Sequence, residues 1–299
     1  MIDPLYRQAL HQEPFLRPSH TPEAAHAILR YGAMVGAAIE HLTEAPRCMD
    51  LARARILASE GEDRSFASGR VIIADQLTAG KGRFQRSWHA PLGGVWLVLT
   101  LVNTLLPEHA ALYSLAAGVA CCETLRHFGL NAHIKWVNDV LLNGRKVAGI
   151  LTETMHGERG GEEYVLIGIG INVNNTTFAP DLRPTAAAMI EFSGHPLEVY
   201  EVAARLLAKL AWNIGLLHHA EELALAADRG VESATPHPLV EAWRSLSDTI
   251  GRQVRFGFNV AERVHYTARA VAIDNHGHLR LRLPDGRLVT EIGGEIAYV

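Results

Sequence analysis

Hydrophobic and polar positions follow two different periods along this chain, which predicts a mixture of helices and strands. Apolar residues spaced by three and four predict helices over Pro22 to Arg30, Cys48 to Ala58, Pro107 to Phe128, Pro196 to His219 and Leu239 to Leu246. Short apolar or alternating runs predict strands. The strands cover Val71 to Ala74, Val95 to Val102, Ala132 to Trp136, Val140 to Leu142, Arg145 to Thr154, Glu163 to Asn174, Arg252 to Phe258, Val264 to Ile273 and His278 to Leu283.

The same pattern predicts how these elements are organised. The first thirty residues are a polar lead-in with one helical piece. Asn143-Gly144 lies between apolar runs, and this dipeptide suits a β-hairpin because a type I′ turn needs positive φ at both positions. Short strands and turns in the last fifty residues predict a small all-β barrel, and Gly230 to Pro238 has the composition of a linker. We expect an N-terminal extension over 1–38, a main domain over 39–235 and a β-domain over 236–299.

Composition narrows the class of protein. The 299 residues are 48% hydrophobic and 20% charged with a net charge of −4, so we expect a folded chain that binds nucleic acid and anionic membranes poorly. No apolar run reaches the roughly 20 residues of a membrane-spanning helix, and the first residues lack a secretory pattern. Three cysteines, Cys48, Cys121 and Cys122, form neither a disulfide framework nor a zinc motif. We expect a cytoplasmic protein without a nucleic-acid or membrane partner.

A basic loop that contains glycine is the first candidate for chemistry. It runs from Gly80 to Trp88 and places Lys81, Arg83 and Arg86 within six residues. Glycines let backbone N–H groups approach an anion, so the loop suits a phosphate or an anionic intermediate. A solvated surface loop would have the same composition. The loop is neither a Walker A motif nor a dinucleotide fingerprint.

A second candidate group is Lys135 to Asp139 together with Lys146, across the predicted hairpin turn. Lys146 lies among Val, Ala, Ile and Leu, so its ammonium group must reach solvent or meet an anion. Asn138 and Asp139 are ordinary turn residues, or they orient a cation. The strand from Gly168 to Asn172 carries two glycines on one face, which lets a ligand approach the backbone. The combination predicts a pocket for anions.

Other catalytic and metal-binding patterns are missing from the sequence. The sixteen histidines contain no H-E-x-x-H or similar spacing, and no G-x-S-x-G motif is present. Cys121-Cys122 lies in an apolar helix and is predicted to be core. We therefore predict no metal site.

At the candidate positions the chain resembles the biotin–protein ligase family, in the form that lacks an N-terminal DNA-binding domain. Thr78 to Trp88 (TAGKGRFQRSW) is similar to its Gly-Arg-Gly-Arg-x-x-Arg-x-Trp loop, and Lys135 to Leu151 (KWVNDVLLNGRKVAGIL) to its Lys-Trp-Pro-Asn-Asp … Arg-Lys-x-x-Gly-Ile-Leu block. Ile167 to Val173 (IGIGINV) resembles its glycine strand, and the ending with Gly293-Gly294-Glu295-Ile296 its C-terminal domain. The resemblance implies an α+β fold: a mixed sheet flanked by helices, like class II aminoacyl-tRNA synthetases, and a small C-terminal SH3-like β-barrel.

The resemblance also implies an activity, that of an ATP-dependent biotin–protein ligase. Biotin attacks the α-phosphate of ATP, with Mg²⁺, and gives biotinyl-5′-AMP and pyrophosphate. A lysine of a biotin carboxyl carrier protein, or of that domain in a biotin-dependent carboxylase, then takes the biotinyl group. The missing DNA-binding domain implies no repressor role. An edge strand beside the Asn143-Gly144 hairpin allows a homodimer, and a monomer is equally allowed.

Roles for individual residues follow from the resemblance. Lys146 and Arg83 are implied as catalytic, with Lys146 between the carboxylate and the α-phosphate. The implied biotin-binding residues are Arg47, Cys48, Met49, Leu77, Gly80, Lys81, Gly82, Arg83, Lys146 and Gly149. The implied residues for ATP or the adenylate are Arg83, Arg86, Trp88, Lys135, Asn138, Asp139, Lys146 and Asn172.

The chain departs from the family pattern chiefly at the end that would hold the biotin head group. Arg47-Cys48 aligns with a Ser-Thr pair that contacts the head group, and Leu77 aligns with a glutamine. In the loop, Phe84-Gln85 replaces Arg-Gly. Two alternatives therefore stay open. One is a ligase for another carboxylic acid, such as lipoate or octanoate, and the other is a non-catalytic paralogue that binds a small acid or nucleotide.

Overall fold

The computed structural model describes residues 2–158, 161–227 and 236–299. Its α-helices are α1 (Ile2–Gln12), α2 (Pro22–Gly32), α3 (Cys48–Gly61), α4 (Leu112–His127), α5 (Ile190–Ser193), α6 (Val199–Ala226) and α7 (Pro238–Leu246). Its strands are β1 (Ala38–Leu42), β2 (Arg70–Ala74), β3 (Gly94–Val102), β4 (Ala132–Lys135), β5 (Asp139–Leu142), β6 (Arg145–His156), β7 (Glu163–Asn172), β8 (Gln253–Gly257), β9 (Tyr266–Ile273), β10 (Leu279–Arg282), β11 (Leu288–Glu291) and β12 (Glu295–Tyr298). Every helix and strand predicted from the sequence is confirmed. The largest differences at the ends are in α4, which begins at Leu112 instead of Pro107, and in α6, which ends at Ala226 instead of His219. In these ranges no helix has both the length and the apolar character needed to cross a membrane.

Seven strands form the main sheet in the order β1-β2-β3-β7-β6-β5-β4. β1 and β2 are parallel, and the other neighbouring pairs are antiparallel. β3 and β7 pair along their length at the centre of the sheet, where both faces are buried, so their sequences are almost continuously apolar. The hairpin turn at Asn143 and Gly144 has φ values of 47° and 77°, both positive as a type I′ turn requires.

Different helices pack on the two faces of the main sheet. Alternate residues of β3 and β7, such as Leu99 and Ile167, point into the main core with α4 and α6. The residues between them, such as Val98 and Leu166, join a smaller core with α3. Further along β7 on this second face, Gly168 and Gly170 carry no side chain, and a cavity opens there. On this face of β7 the large side chains give way to glycines, and the space that they leave is where the cavity lies.

The N-terminal residues form two helices, α1 and α2, which pack along α6. Ile2, Tyr6 and Ala9 of α1 belong to the main core. The sequence-based expectation of a polar lead-in with a single helical piece is wrong for α1. The buried residues of α1 are spaced by four and three, which is helical, but the intervening polar residues, a histidine and Pro4 obscured this pattern. A proline is tolerated there because it lies in the first turn.

A buried cluster of charged side chains joins the segment between α1 and α2 to α4 and α6. Glu13 is 2% exposed, and its carboxylate lies 2.9 Å from Lys209 Nζ and 2.7 Å from Arg17 Nη2. Arg17 also pairs with Glu123 of α4, and its guanidinium lies 5.2 Å from the ring centre of Trp212. Buried charges are tolerated only when they are paired. The ion cluster therefore holds the N-terminal segment in one place on α6.

Replacement of Glu13 tests this cluster. Glu13→Gln is expected to lower the free energy of unfolding by about 3 kcal/mol, because Lys209 and Arg17 lose a buried carboxylate. Urea denaturation followed by circular dichroism measures the change. Glu262→Gln at an exposed loop position is the matched control and should stay within about 0.5 kcal/mol of wild type. Equal stability of the two variants would contradict the role of Glu13.

Five strands form the C-terminal sheet in the order β11-β10-β9-β8-β12, all antiparallel. Prediction found three of them and missed β11 and β12, which are four residues each. Trp136 connects the two sheets: its backbone N–H donates to Thr249 Oγ1 at 3.0 Å and its Nε1–H to the Gly277 carbonyl at 3.1 Å. Most of the expected linker, Gly230 to Pro238, and the end of the main domain at 235 lie outside the described residues. The domain limits stay predictions.

Candidate active site

A cavity of about 600 Å³ opens between the bare part of β7, the loop that follows β2, and the C-terminal sheet. It brings together residues from all three motifs found in the sequence. The predicted residues that line it are Arg47, Cys48, Met49, Leu77, Lys81, Gly82, Arg83, Arg86, Trp88, Lys135, Asn138, Asp139, Lys146, Gly149 and Asn172. Gly80 does not line it. Its carbonyl accepts a hydrogen bond from the Trp88 backbone N–H at 2.8 Å, which shapes the loop.

Glycines make the room on the cavity floor. Gly149 and Gly170 lie opposite each other in the pairing of β6 with β7, and the indole of Trp88 covers both. A Cβ atom at Gly170 would lie 2.6 Å from Trp88 Nε1, and one at Gly149 would lie 3.2 Å from the same ring. A Cβ at Gly168 would lie 2.8 Å from Met49 Sδ. The bare strand face thus accepts Trp88 and Met49, which then form part of the cavity wall.

Three side chains form the charged centre of the cavity. The carboxylate of Asp139 lies between two ammonium groups, with Lys146 Nζ at 2.5 Å and Lys135 Nζ at 2.9 Å. Burial alone would raise the pKa of Asp139, but the charges and hydrogen bonds of Lys146 and Lys135 outweigh it and hold the pKa well below its usual range. Lys146 Nζ also lies 5.2 Å from the ring centre of Trp88, within cation–π range. The three groups carry a net positive charge, which attracts an anion.

The two loop arginines contact the C-terminal sheet. Arg83 Nη1 donates to the Gly294 carbonyl at 2.7 Å. Arg86 forms a bidentate ion pair with Glu295, with both contacts at 2.9 Å. Glu295 also lines the cavity, and sequence reasoning missed it because Gly293-Gly294-Glu295-Ile296 was used only to recognise the C-terminal domain. The available signal was charge: an acidic residue in that domain complements a basic loop elsewhere in the chain.

The loop between these contacts has an unusual backbone. Phe84 and Gln85 have φ values of 55° and 59°, a region that costs energy for residues other than glycine. The guanidinium carbons of Arg83 and Arg86 lie 5.0 and 5.4 Å from the ring centre of Phe84. The stacked ring and the contacts with the C-terminal sheet offset the backbone strain and hold both arginines at the cavity.

Two predicted asparagines line the cavity but use their amides to fix the backbone. Asn138 Nδ2 donates to the Ile150 carbonyl at 2.6 Å. Asn172 Nδ2 donates to the Ala187 carbonyl at 3.0 Å, and its Oδ1 accepts from Asn175 at 2.9 Å. Asn172 is 3% exposed. These residues therefore position the strands on which the lysines and glycines lie.

The end of the cavity beside α3 has a different chemistry. Arg47 precedes α3, and its guanidinium lies 2.9 Å from Glu153 and 3.0 Å from Asp50. Burial raises the pKa of the neighbouring Cys48 thiol to about 12, so this thiol is neutral at ordinary pH. Leu77 adds an apolar side chain to the wall. This end of the cavity thus combines one guanidinium with neutral groups.

Metal-binding clusters are absent from the part of the chain that the structure describes: no three His, Cys, Asp or Glu side chains are arranged to hold a metal ion. Asp139 is already paired with two ammonium groups. The side chains of the cavity mainly offer ammonium and guanidinium donors, the groups that bind carboxylates and phosphates.

Comparison with known proteins first defines the class. The model of the Biotin/lipoate A/B protein ligase family matches residues 54–172, and that of the Biotin protein ligase C terminal domain matches residues 249–298. The fold resembles that of a biotin protein ligase from Aquifex aeolicus solved in complex with biotin and ATP. The TM-score is 0.66 and the identity 21%, over 87% of this chain and 98% of that chain. The likeness confirms the expected α+β fold with a C-terminal β-domain.

Sequence relatives then define the family. A biotin--[acetyl-CoA-carboxylase] ligase of Mycobacterium tuberculosis is 31% identical over 249 residues, which are 81% of this chain and 82% of that protein. The bifunctional ligase/repressor BirA of Bacillus subtilis is 30% identical over 238 residues, 77% of this chain and 66% of that protein. The chain thus spans just under two thirds of the length of that relative. It belongs to the biotin protein ligase family, as the resemblance of its motifs indicated.

The packing of Trp88 on the glycines can be tested without a ligand. Gly170→Ala is expected to lower the free energy of unfolding by about 1–3 kcal/mol, because the added methyl group overlaps the indole. In a Trp88→Ala background the same substitution should cost much less. Chemical denaturation of the two single variants and the double variant measures the coupling. Additive effects would show that the indole does not occupy this space.

The ion pairs of Asp139 predict a pH dependence. Because the pKa of Asp139 in the folded protein lies below its ordinary value of 3.8, the carboxylate stabilises the fold above that value, and this contribution is lost as the pH falls towards the folded pKa. Asp139→Asn should therefore cost about 3 kcal/mol at neutral pH, and its difference from wild type should shrink below about pH 4. Denaturation at a series of pH values measures this. A difference that is independent of pH would contradict the assignment.

Proposed function

We propose that this chain is an ATP-dependent biotin–protein ligase. It converts biotin to biotinyl-5′-AMP and transfers the biotinyl group to a lysine of a biotin carboxyl carrier protein or domain. The observation that carries the proposal is the meeting of Lys146, Lys135 and Arg83 in one cavity. Relatives of similar fold support it: the Aquifex aeolicus ligase was solved with biotin and ATP, and one from Leishmania major with biotinyl-5-AMP.

In the first step, a carboxylate oxygen of biotin forms a bond to the α-phosphorus of ATP, and the bond from that phosphorus to pyrophosphate breaks. Both reactants are anions, so cations at the reacting atoms lower the barrier. Lys146 is the catalytic ammonium group between the carboxylate and the α-phosphate. Asp139 keeps this group directed into the cavity, and Arg83 is the second catalytic cation. Mg²⁺ arrives with ATP as part of the nucleotide substrate.

The nucleotide side of the cavity consists of Arg83, Arg86, Trp88, Lys135, Asn138, Asp139, Lys146 and Asn172. Arg83 and Arg86 are bonded to Gly294 and Glu295, so phosphate oxygens compete with these acceptors for the guanidinium groups. The loop that carries both arginines covers the adenylate and excludes water, which would otherwise hydrolyse the mixed anhydride.

In the second step, the ε-amine of the carrier lysine attacks the acyl carbon of the adenylate. The bond from that carbon to the AMP oxygen breaks, AMP leaves, and the amine loses a proton as the amide forms. The biotinyl group is held by the wall of Arg47, Cys48, Met49, Leu77, Lys81, Gly82, Arg83, Lys146 and Gly149. Gly80 contributes only by shaping the loop through its hydrogen bond with Trp88. Because the reaction uses ATP and a carrier of central metabolism, we also propose a cytoplasmic location.

A ligase for another carboxylic acid is the second candidate. The observation in its favour is the changed head-group end of the cavity, where Arg47 and Leu77 replace the family's polar residues. The cationic centre would activate any carboxylate that fits, so the reaction type is the same in both proposals and only the acid differs.

A pyrophosphate-release assay distinguishes these proposals. The protein is incubated with ATP, Mg²⁺ and either biotin, lipoate or octanoate, and mass spectrometry then follows the mass of an added biotin carboxyl carrier domain. Release with biotin and a biotinyl adduct on the carrier are expected. Release with another acid alone would assign the second candidate. If no acid supports pyrophosphate release, both ligase proposals are contradicted, and a non-catalytic binding protein is the remaining interpretation.

Substitution of Lys146 tests its catalytic role. Lys146→Ala is expected to reduce pyrophosphate release with biotin at least about 100-fold. The reason is that the transition state loses an ammonium group that stabilises it by several kcal/mol. The melting temperature should change little, because Asp139 keeps its ion pair with Lys135. Lys146→Arg, which keeps the charge, should retain more activity than Lys146→Ala. A large loss of stability in Lys146→Ala would instead identify a structural lysine.

A further inference from the structure

One face of the C-terminal sheet is open to solvent and carries a group of arginines. Side chains of β8, β9 and β10 alternate between buried and exposed, so one face of the sheet packs on the core and the other is solvated. The exposed positions include four arginines, which together form the arginine face: Arg255, Arg269, Arg280 and Arg282. They lie on three neighbouring strands, so the group is roughly 10 Å wide.

The arginine face brings like charges close together. Arg269 lies directly opposite Arg282 in the pairing of β9 with β10, so their Cβ atoms are about 5 Å apart. Arg255 lies diagonally from Arg269, because Gln253 is the residue opposite Arg269 on β8. Like charges in opposite positions destabilise a sheet. The arrangement therefore costs folding free energy, and a bound anion would offset this cost.

Carboxylates of the protein itself do not neutralise this face. Arg252, just before β8, lies 2.5 Å from Asp248. In contrast, none of the four guanidinium groups of the arginine face forms an ion pair with a carboxylate of the described chain. Among the described residues of these strands and β12, the one carboxylate on the same face belongs to Glu295, which is bound to Arg86. The face therefore has an excess of positive charge.

The arginine face reaches the wall of the cavity. Arg255 lies opposite Ala297 in the pairing of β8 with β12, so the two side chains are on the same face of the sheet. Ala297 and Glu295, which is two residues earlier on β12, line the cavity. A macromolecule bound to the arginine face therefore lies beside the cavity.

We infer that the arginine face is a docking surface for an acidic region of the carrier protein, which it holds beside the cavity while the carrier lysine attacks the adenylate. This inference rests on the proposed ligase function, because the second step of that reaction brings a protein to this cavity. Guanidinium groups bind carboxylates with two parallel hydrogen bonds. Complementary charge also raises the rate of association and fixes the orientation of the partner.

The distribution of charge favours a protein partner over a nucleic acid. The chain has 28 basic and 32 acidic residues, so the surface outside the arginine face is acidic on balance. A nucleic acid carries charge along its whole length and would meet this acidic surface beyond the small face. β8, β9 and β10, which the structure describes in full, expose no aromatic side chain on which a base could stack. An acidic region of a small domain can cover the face alone.

Reversal of charge on the arginine face tests the inference. The double variant Arg255→Glu/Arg282→Glu places one carboxylate diagonally from Arg269 and one directly opposite it, so like-charge contacts become opposite-charge contacts. Its melting temperature should equal or exceed that of wild type. The matched control is Arg64→Glu/Arg287→Glu, which changes the net charge equally at exposed positions outside the face. Arg255→Lys/Arg282→Lys keeps the positive charges.

The probe is a purified biotin carboxyl carrier domain of acidic net charge. Transfer of biotin is measured against carrier concentration, and direct binding of the carrier by biolayer interferometry. At about 0.05 M salt, where exposed charges interact over more than about 10 Å, the Glu variant should have a carrier kcat/KM at least about tenfold below wild type, mainly through KM. At about 0.5 M salt screening should reduce this difference to under about threefold. The Lys variant and the control should stay within about threefold of wild type at both salt concentrations.

Pyrophosphate release with biotin and ATP in the absence of carrier separates docking from activation, and it should be equal in wild type and the Glu variant. The inference is overturned if the carrier does not bind wild type, if the Glu variant transfers biotin like wild type at low salt, or if the control loses as much. It is also overturned if kcat falls while KM and carrier binding stay unchanged.

Two further outcomes are distinguishable from these. Fluorescence anisotropy with labelled DNA measures binding of a nucleic acid. DNA binding by wild type and not by the Glu variant, with unchanged transfer to the carrier, would overturn the inference and assign the face to a nucleic acid. Absence of pyrophosphate release in wild type, together with carrier binding that depends on the arginine face, would overturn the ligase proposal alone.

Discussion

The carboxylate of Asp139 keeps two ammonium groups inside a cavity from which they would otherwise turn towards solvent. Like charges repel at close range, and the carboxylate between Lys146 and Lys135 offsets this repulsion. The backbone supports the arrangement. The pairing of β5 with β6 shifts register at Val140, so that Leu141 lies opposite Lys146 and Val147 is left out of the ladder. Such a bulge re-aims the neighbouring side chains, and here it accompanies the turn of Lys146 towards Asp139.

The rest of the cavity depends on parts of the chain that are distant in sequence. The central strands supply a floor without side chains, the basic loop supplies Trp88 and the arginines, and the C-terminal sheet supplies the acceptors for those arginines. Positive φ at Phe84 and Gln85 shows that the loop does not adopt this form by local preference alone. Contacts with a second sheet are therefore part of what makes the cavity, and the strands of the main sheet by themselves do not enclose it.

Sequence reasoning succeeded where the signal is local. The Asn-Gly turn, the helical stripe of α6 and the continuous apolar runs of β3 and β7 each contain enough information in a few residues to define an element. The three motifs could be placed in one cavity because each carries unusual chemistry in a short segment. α1 was missed because its buried residues are interspersed with polar ones and a proline, and β11 and β12 because four residues give too little pattern. The pairs Glu13–Lys209 and Arg86–Glu295 join residues far apart in the chain, which one sequence does not reveal.

The position of Trp88 over Gly149 and Gly170 has a consequence for the size of ligand that the cavity can hold. The indole fills space that the strand backbone leaves empty, so the bulk at residue 88 sets the depth of the cavity. A smaller residue there would open a recess directly beside the cationic centre. A ligand with extra bulk at that point would fit the recess, whereas the indole of the wild-type protein would exclude it. The shape of the cavity at the glycine pair can therefore be changed by a substitution at residue 88 that leaves the charged groups in place.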